Sequence, residues 1–293
     1  MAYGKTIELF LVNGTADSVI TAELSNWNGK AIKIPRIEVK NCNRQDIQQP
    51  GVYFLFCKED DGTESVYIGE AENVKVRLIQ HLQAYDTDNE PYYWTTAVIF
   101  IGRDLNEALI RYLENRLVEI AKKSKRYKVL TKSTYKNTVL KESDYAVMDE
   151  FIDDVKIVVN ALGYKVFEPL LQEGVNGNPI DELLYISSGA SNAKGKVTPE
   201  GFVVLQGARI YDKPAKSLNG GIVKLREKYI SEEKVKDWTT TEDLLFSSSS
   251  AAADFILGYS ASGPKVWKNK DGKSLVNCKL NLNTHNQETH SIA

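Results

Sequence analysis

Two β-patterned segments joined by a short polar turn constrain the fold of this chain more than any other feature. Gly51–Cys57 and Ser65–Gly69 are separated by a polar segment that contains glycine. Strand-like runs on either side of such a segment predict an antiparallel hairpin. If the hairpin turns about Asp60, Tyr53 and Tyr67 pair directly, and both phenols point to one face of the sheet.

A helix is predicted directly after this hairpin. Its apolar side is supplied by four residues at helical spacing: Val74, Leu78, Ile79 and Leu82. Asn73, Arg77 and His81 recur every four residues and therefore share a helix face. Arg77 is then placed to direct a bidentate donor towards whatever the tyrosines contact.

Strand and helix patterns continue along the chain and predict an α+β protein. Tyr92–Ile101 has the pattern of a third strand, and Asp104–Ala121 is the clearest helix, with Asp104 as its expected cap. We expect a small antiparallel three-stranded sheet flanked by helices, followed by a second small α+β domain. The predicted divisions are a β-rich N-terminal lead-in at 1–45, a first domain at 46–145, a helix and linker at 146–179, a C-terminal domain at 180–277 and a polar tail at 278–293.

Composition and charge narrow the class of protein. Hydrophobic residues make up 42% and charged residues 26%, and no apolar run approaches the ~20 residues of a membrane span. Residues 1–6 lack the features of a secretory signal. The three cysteines are widely spaced and form no disulfide or zinc pattern. We therefore expect a cytoplasmic protein without a membrane partner. The net charge is −2, yet Arg116 to Lys141 holds nine basic residues and one acidic residue, Glu119. Such a run is either a solvated face or a phosphate-binding surface.

The order and spacing of these residues resemble the GIY-YIG nuclease superfamily. The resemblance consists of Gly51-Val52-Tyr53, Tyr67-Ile68-Gly69 after ten intervening residues, and Arg77 eight positions beyond that glycine. Tyr112–Leu117 (YLENRL) resembles the family's metal-binding helix and selects Glu114. The resemblance makes 46–145 a nuclease domain, with Tyr53, Tyr67, Arg77, His81 and Glu114 as catalytic residues.

The resemblance implies hydrolysis of DNA phosphodiester bonds with a single divalent ion, Mg²⁺ or Mn²⁺. Glu114 would hold the metal, Tyr53 would orient or deprotonate the attacking water with support from Tyr67, and Arg77 would neutralise phosphate charge. His81 would assist proton transfer or bind the phosphate. Arg77 and the metal are the expected causes of a lowered Tyr53 pKa. The expected DNA contacts are Asn73, Lys122, Lys123, Lys125, Arg126 and Asn137.

Each of these residues also has an ordinary structural interpretation. A strand tyrosine is usually a core residue, Arg77 and His81 fit a solvated helix face, and Glu114 fits a partner of Arg111 three positions earlier. Two departures from the family pattern are Val52 in place of isoleucine and Glu70 where some relatives carry a cation. The runner-up hypotheses are a non-catalytic nucleic-acid-binding protein that keeps the fold, and an adaptor.

The C-terminal sequence resembles a domain of unknown function often found after such nucleases. It also resembles, more faintly, the RAMA module, which is suggested to sense modified DNA. The resemblance implies a DNA-targeting domain in which Trp267, Lys265 and Lys268 face nucleic acid; the alternative is that Trp267 fills a small core. The sequence leaves open the structure of the substrate, the choice of DNA or RNA and the oligomeric state.

Overall fold

The chain combines helices and sheets, as an α+β fold requires. A computed structural model describes residues 4–59, 63–134, 138–171 and 182–277. The chain divides into two compact units, Met1–Pro169 and Leu170–Ala293. Within the described residues, no helix has both the length and the apolar character needed to cross a membrane.

One large sheet forms the centre of the first unit. Its strands are β1 (Ile7–Leu11), β2 (Ile20–Leu24), β3 (Gly29–Pro35), β4 (Gly51–Lys58), β5 (Glu64–Ala71), β6 (Trp94–Gly102) and β7 (Lys128–Val129). Their spatial order is β1-β2-β3-β6-β4-β5-β7, and all neighbours are antiparallel except β5 and β7. The predicted three-stranded sheet was therefore too small, because β3 joins β1 and β2 to β6. A local hairpin pattern does not reveal such a distant pairing.

The helices of the first unit are α1 (Val74–Asp86), α2 (Glu107–Ser124) and α3 (Glu142–Ala161). The prediction that Asp104 caps α2 was wrong. The Asn106 side chain accepts hydrogen bonds from the backbone N–H groups of Ala108 and Leu109, at 3.1 and 3.2 Å. Asp and Asn are comparable caps, so composition alone does not separate two candidates two residues apart.

Both faces of the central strands are covered. The helices α2 and α3 pack on the face that includes Phe54 and Phe100, whereas α1 packs on the opposite face with Tyr53 and Leu55. Strand β4 is consequently buried on both sides, as strands covered on both faces generally are. The α1 face is the one that carries the candidate site.

The hairpin register differs from the prediction by two residues. Tyr53 pairs with Gly69 and Tyr67 pairs with Leu55, so the two tyrosines are diagonal neighbours rather than direct partners. The turn itself, residues 60–62, lies outside the described residues. Both phenols still point to one face because their offset along the strands is even.

The second unit is built around a separate sheet. Its strands are β8 (Leu184–Ser188), β9 (Ser191–Thr198), β10 (Gly201–Val204), β11 (Val235–Lys236), β12 (Thr239–Thr240) and β13 (Leu244–Phe246), and its helices are α4 (Gly220–Ser231), α5 (Ser249–Leu257) and α6 (Gly263–Val266). The four-stranded sheet has the order β13-β10-β9-β8. One sheet face and the apolar side of α5 form the core. The predicted Gly/Asn/Pro linker at 174–179 and the polar tail at 278–293 lie outside the described residues.

Candidate active site

Tyr53 is the centre of a buried polar cluster. It lies in the middle of β4 with no exposed surface. Its Oη is 2.8 Å from His81 Nε2 and accepts a hydrogen bond from Arg77 Nε at 3.3 Å. The regular spacing of α1 brings Arg77 and His81 to the same phenol, as their four-residue separation predicted.

Two glycines of the hairpin make room for this arrangement. A Cβ at Gly69 would lie 2.5 Å from Tyr53 Oη and 2.8 Å from Tyr67 Cε1. A Cβ at Gly51 would lie 2.5 Å from the backbone oxygen of Phe100. The glycine of the Tyr-Ile-Gly motif is therefore needed for space beside the phenol rather than for a special backbone conformation.

The Tyr67 ring packs beside the Tyr53 ring in the same cluster. The two ring centroids are 6.2 Å apart and stacked, and the Tyr67 ring lies 5.1 Å from the His81 ring. Burial raises the pKa of both phenols, and it outweighs the lowering effect of Arg77. The expected lowering of the Tyr53 pKa is thus not produced by the protein's own residues. Both tyrosines keep their protons at neutral pH.

His81 is a core residue and not part of a solvated helix face. It is 1% exposed, and its Nδ1 is hydrogen-bonded to Glu90 Oε1. Burial, with the nearby cations Arg77 and Arg36, lowers the pKa of His81 to about 3. Neutral His81 with its proton on Nδ1 satisfies both bonds: it donates to Glu90 and accepts from Tyr53.

Glu90 is the functional candidate that the sequence patterns missed. It lies in the polar segment between α1 and β6, where no periodicity distinguishes one residue from another. Burial raises the pKa of Glu90, and its Oε2 is buried without a hydrogen-bond partner among the described residues. A glutamate after a predicted helix is common, so only the fold reveals the chain of contacts Glu90–His81–Tyr53.

Arg36 holds this polar segment in place. Its guanidinium carbon lies 4.5 Å from the ring centroid of Tyr93, 4.7 Å from that of Trp94 and 4.9 Å from that of Tyr85. These cation–π contacts link the end of α1 to the start of β6. The segment between them, which contains Glu90, is anchored at both ends.

Glu114 is a buried carboxyl group without a local counter-ion. It projects from α2 and is 7% exposed, and no hydrogen bond or ion pair joins it to another described residue. Burial raises the pKa of Glu114 to about 7, reinforced by the negative charge of Glu70 and opposed by Arg77. The alternative pairing with Arg111 is wrong, because Arg111 forms ion pairs with Glu107 and with Glu70, the latter at 3.9 Å.

The predicted DNA contacts occupy different environments. Asn73 caps α1, its Oδ1 accepting from the Val76 N–H at 3.1 Å. Lys122 and Lys123 are exposed on the last turn of α2, where Lys123 pairs with Glu119 at 2.7 Å. Lys125 is exposed in the left-handed C-cap of α2, Arg126 is half-buried, and Asn137 lies outside the described residues. Eight residues separate Glu114 from Lys122, which is about 12 Å along a helix.

Trp267 does not face nucleic acid, so this prediction was wrong. The side chain has no exposed surface, and its ring centroid lies 4.5 Å from that of Phe202. Its indole N–H donates to the backbone oxygen of Ser249 at 2.9 Å. Trp267 instead lies in the core of the second unit, as the alternative interpretation predicted.

Comparisons with known proteins identify only part of the chain. Residues 184–279 match the family model of a domain of unknown function, DUF4357, which spans about a third of the chain. No curated protein and no solved structure matches the chain. The match covers the second unit and gives it no activity.

Proposed function

We propose that this protein is a metal-dependent endonuclease of the GIY-YIG type that hydrolyses DNA phosphodiester bonds. One observation carries the proposal. The Tyr53 hydroxyl lies within hydrogen-bond distance of Arg77 and His81, and its ring stacks on Tyr67. The charge of Arg77 also acts on the buried carboxyl group of Glu114. These are the residues that the motif resemblance selects, and they combine a cation, a free carboxyl group and a proton-transfer chain.

The proton chain supplies a way to activate water without a resident phenolate. The Tyr53 hydroxyl donates to His81 and accepts from Arg77. In the proposed reaction, its remaining lone pair accepts the proton of a water molecule that enters the site together with the substrate. As the water loses its proton to Tyr53 Oη, the phenolic proton moves to His81 Nε2. The imidazolium that results is balanced by the carboxylate of Glu90. His81 is thus the net proton acceptor, and Tyr53 positions the water.

In the proposed reaction, Arg77 binds the phosphate group and Glu114 binds the divalent ion. Arg77 is a fixed, always protonated donor that stabilises negative charge on the phosphate oxygens. The buried carboxyl group of Glu114, which no hydrogen bond joins to another described residue, fits a divalent-ion ligand, and Glu70 is a second carboxylate whose charge acts on it. Mg²⁺ usually binds through one or two carboxylates and keeps several waters, so the proposed site needs few protein ligands. Mg²⁺ or Mn²⁺ at Glu114 would supply positive charge next to the cleaved phosphate.

The test is cleavage of a panel of supercoiled, nicked, flapped and methylated DNAs, with Mg²⁺, with Mn²⁺ and with EDTA. We expect metal-dependent cleavage by the wild type and none by Glu114→Gln, while the control Glu119→Gln on the same helix cleaves normally. Arg77→Ala should weaken both binding and turnover, because a phosphate contact acts before and during the transition state. Binding without cleavage under every condition would favour the non-catalytic alternative.

A further inference from the structure

One face of the four-stranded sheet in the second unit is open along β8 and β9. Cross-strand partners in an antiparallel sheet point to the same side. The inward side carries the core residues of β8 to β10 and β13: Leu184, Ile186, Ala193, Phe202, Val204, Leu244 and Phe246. The opposite side, here called the outer sheet face, carries Tyr185, Ser187, Asn192, Lys194, Lys196, Val203 and Leu245. Val203 on β10 is buried, so the open part of this face lies over β8 and β9.

Two further cations extend this face at its edges. Lys268 bridges to Tyr185, which pairs in turn with Lys194, so these three residues form one row across the sheet. Arg209 bridges to Asn192 in a parallel row two residues along β9. Lys194, Arg209 and Lys268 are exposed, and no ion pair joins any of them to another described residue.

At its strand positions, the outer sheet face carries lysines and no acidic residue. No aspartate or glutamate occupies an outward strand position of β8, β9, β10 or β13, although acidic residues are frequent elsewhere in the unit. With strands about 4.8 Å apart, the Cα atoms of Lys268 and Lys194 lie about 10 Å from each other, on either side of Tyr185. Long flexible lysine stems at this spacing can each meet a different phosphate of one strand.

Tyr185 provides a free aromatic surface between the cations. It is half-buried, and neither its ring nor its hydroxyl contacts a described aromatic, donor or acceptor group. An aromatic ring flanked by cations on an open sheet is a typical arrangement for stacking an unpaired base while the backbone phosphates are neutralised. The stacked bases of a duplex do not present their flat faces to such a ring.

We propose that the outer sheet face binds single-stranded DNA, with phosphates on Lys194, Arg209 and Lys268 and a base stacked on Tyr185. The choice of DNA rests on the proposed function, whereas the choice of a single-stranded nucleic acid rests on the charge and the free ring. The face would hold an unpaired segment of the DNA on which the first unit acts. Trp267, the aromatic residue favoured by the sequence, has no part in it.

The test is fluorescence anisotropy of the full-length chain with a labelled single strand of about 16 nucleotides in EDTA, between about 50 and 200 mM salt. Changing Lys194, Arg209 and Lys268 together to alanine should lower affinity about 100-fold near 0.1 M salt and reduce the slope of log affinity against log salt by about two. Tyr185→Leu should lower affinity about tenfold without changing the slope, because stacking releases no counterions. The matched control changes three exposed lysines of the same unit, Lys213, Lys216 and Lys224, to alanine and should bind normally.

Three outcomes would overturn the inference. These are equal losses in the triple variant and its control, equal affinity for a duplex of the same sequence with no effect of Tyr185→Leu, and tighter binding of the matching RNA strand. Thermal melts establish that each variant is folded. Because binding is measured in EDTA, a protein that binds through this face but cleaves no DNA refutes the proposed function alone. A protein that cleaves DNA while the triple variant binds normally refutes this inference alone.

Discussion

Replacing Glu114 by glutamine should stabilise the protein in a pH-dependent way. Folding raises the pKa of Glu114 from the ordinary value of 4.5 to about 7, because the carboxylate is buried beside Glu70 without a compensating bond. A group with a raised folded pKa contributes stability that is fully present below its unfolded pKa and is lost as pH rises through the folded pKa. A tenfold change in proton affinity between the folded and unfolded chain corresponds to about 1.4 kcal/mol. The free energy of unfolding of the wild type is therefore about 3 kcal/mol lower at pH 8 than at a pH below 4.5.

The glutamine variant has no charge to bury and should escape this loss. The difference in free energy of unfolding between the variant and the wild type should be small at pH 5 and about 2–3 kcal/mol larger at pH 8. For a unit of this size that difference corresponds to about 5–10 °C in Tm. Thermal melts of both proteins from pH 5 to pH 9 in EDTA measure it. A difference in Tm that does not change with pH would refute the assigned burial cost.

Melts with added Mg²⁺ and with a control variant test whether Glu114 binds the metal. Mg²⁺ should stabilise the wild type at pH 8 and leave Glu114→Gln unchanged, because an ion bound to the native carboxylate stabilises only the folded state. Glu119→Gln is the control on the same helix. Hydrogen bonds from Lys123 and Arg116 lower the pKa of Glu119, so its removal should bring no stabilisation at high pH. Equal Mg²⁺ effects on all three proteins would refute Glu114 as the ligand.

Three further changes test the proton chain and its packing. Tyr53→Phe should lower single-turnover cleavage ~10²-fold or more and cost about 1–3 kcal/mol of stability, since His81 Nε2 is left buried without its donor. The control is Tyr164→Phe, which should cleave normally because Tyr164 stacks on Phe56 on the opposite face of the sheet. Near-wild-type turnover by folded Tyr53→Phe would remove the phenol from the mechanism. Gly69→Ala should displace the Tyr53 ring and reduce cleavage while the chain still folds; a fully active variant would contradict the close contact. Glu90→Gln should reduce turnover more than substrate affinity, and an unchanged pH–rate profile would show that Glu90 does not position His81.

Sequence patterns located the secondary structure of the site because the relevant signals are local. Alternation and turn composition predicted β4 and β5, and four-residue spacing predicted α1 with Arg77 and His81 on one face. The even offset between Tyr53 and Tyr67 was sufficient to place both phenols on one side of the sheet. The exact register was not predicted, since a slip of two residues leaves every side chain on the same face and so leaves the hydrophobic pattern unchanged.

Features that depend on distant pairing were not predictable in the same way. The pairing of β3 with β6 enlarges the sheet, and it rests on contacts between segments more than 60 residues apart. Trp267 and Tyr185 illustrate the same limit in the second unit. The resemblance of the C-terminal sequence implied that Trp267 faces nucleic acid, yet Trp267 is buried. The half-buried ring on the outer sheet face belongs to Tyr185, whose cationic neighbours come from other segments.

The chemical roles within the site depend on burial more than on residue type. A tyrosine beside an arginine suggests a lowered phenol pKa, but complete burial of Tyr53 reverses the direction. The proton must then move to a neutral group, and His81 is neutral, but burial also lowers its pKa and so weakens it as a base. The acceptor in turn requires Glu90, because an imidazolium formed beside Arg77 and Arg36 would otherwise have only cations near it. Because Tyr53 is buried, the proposed proton transfer requires the carboxylate of Glu90, although Glu90 belongs to no recognisable motif.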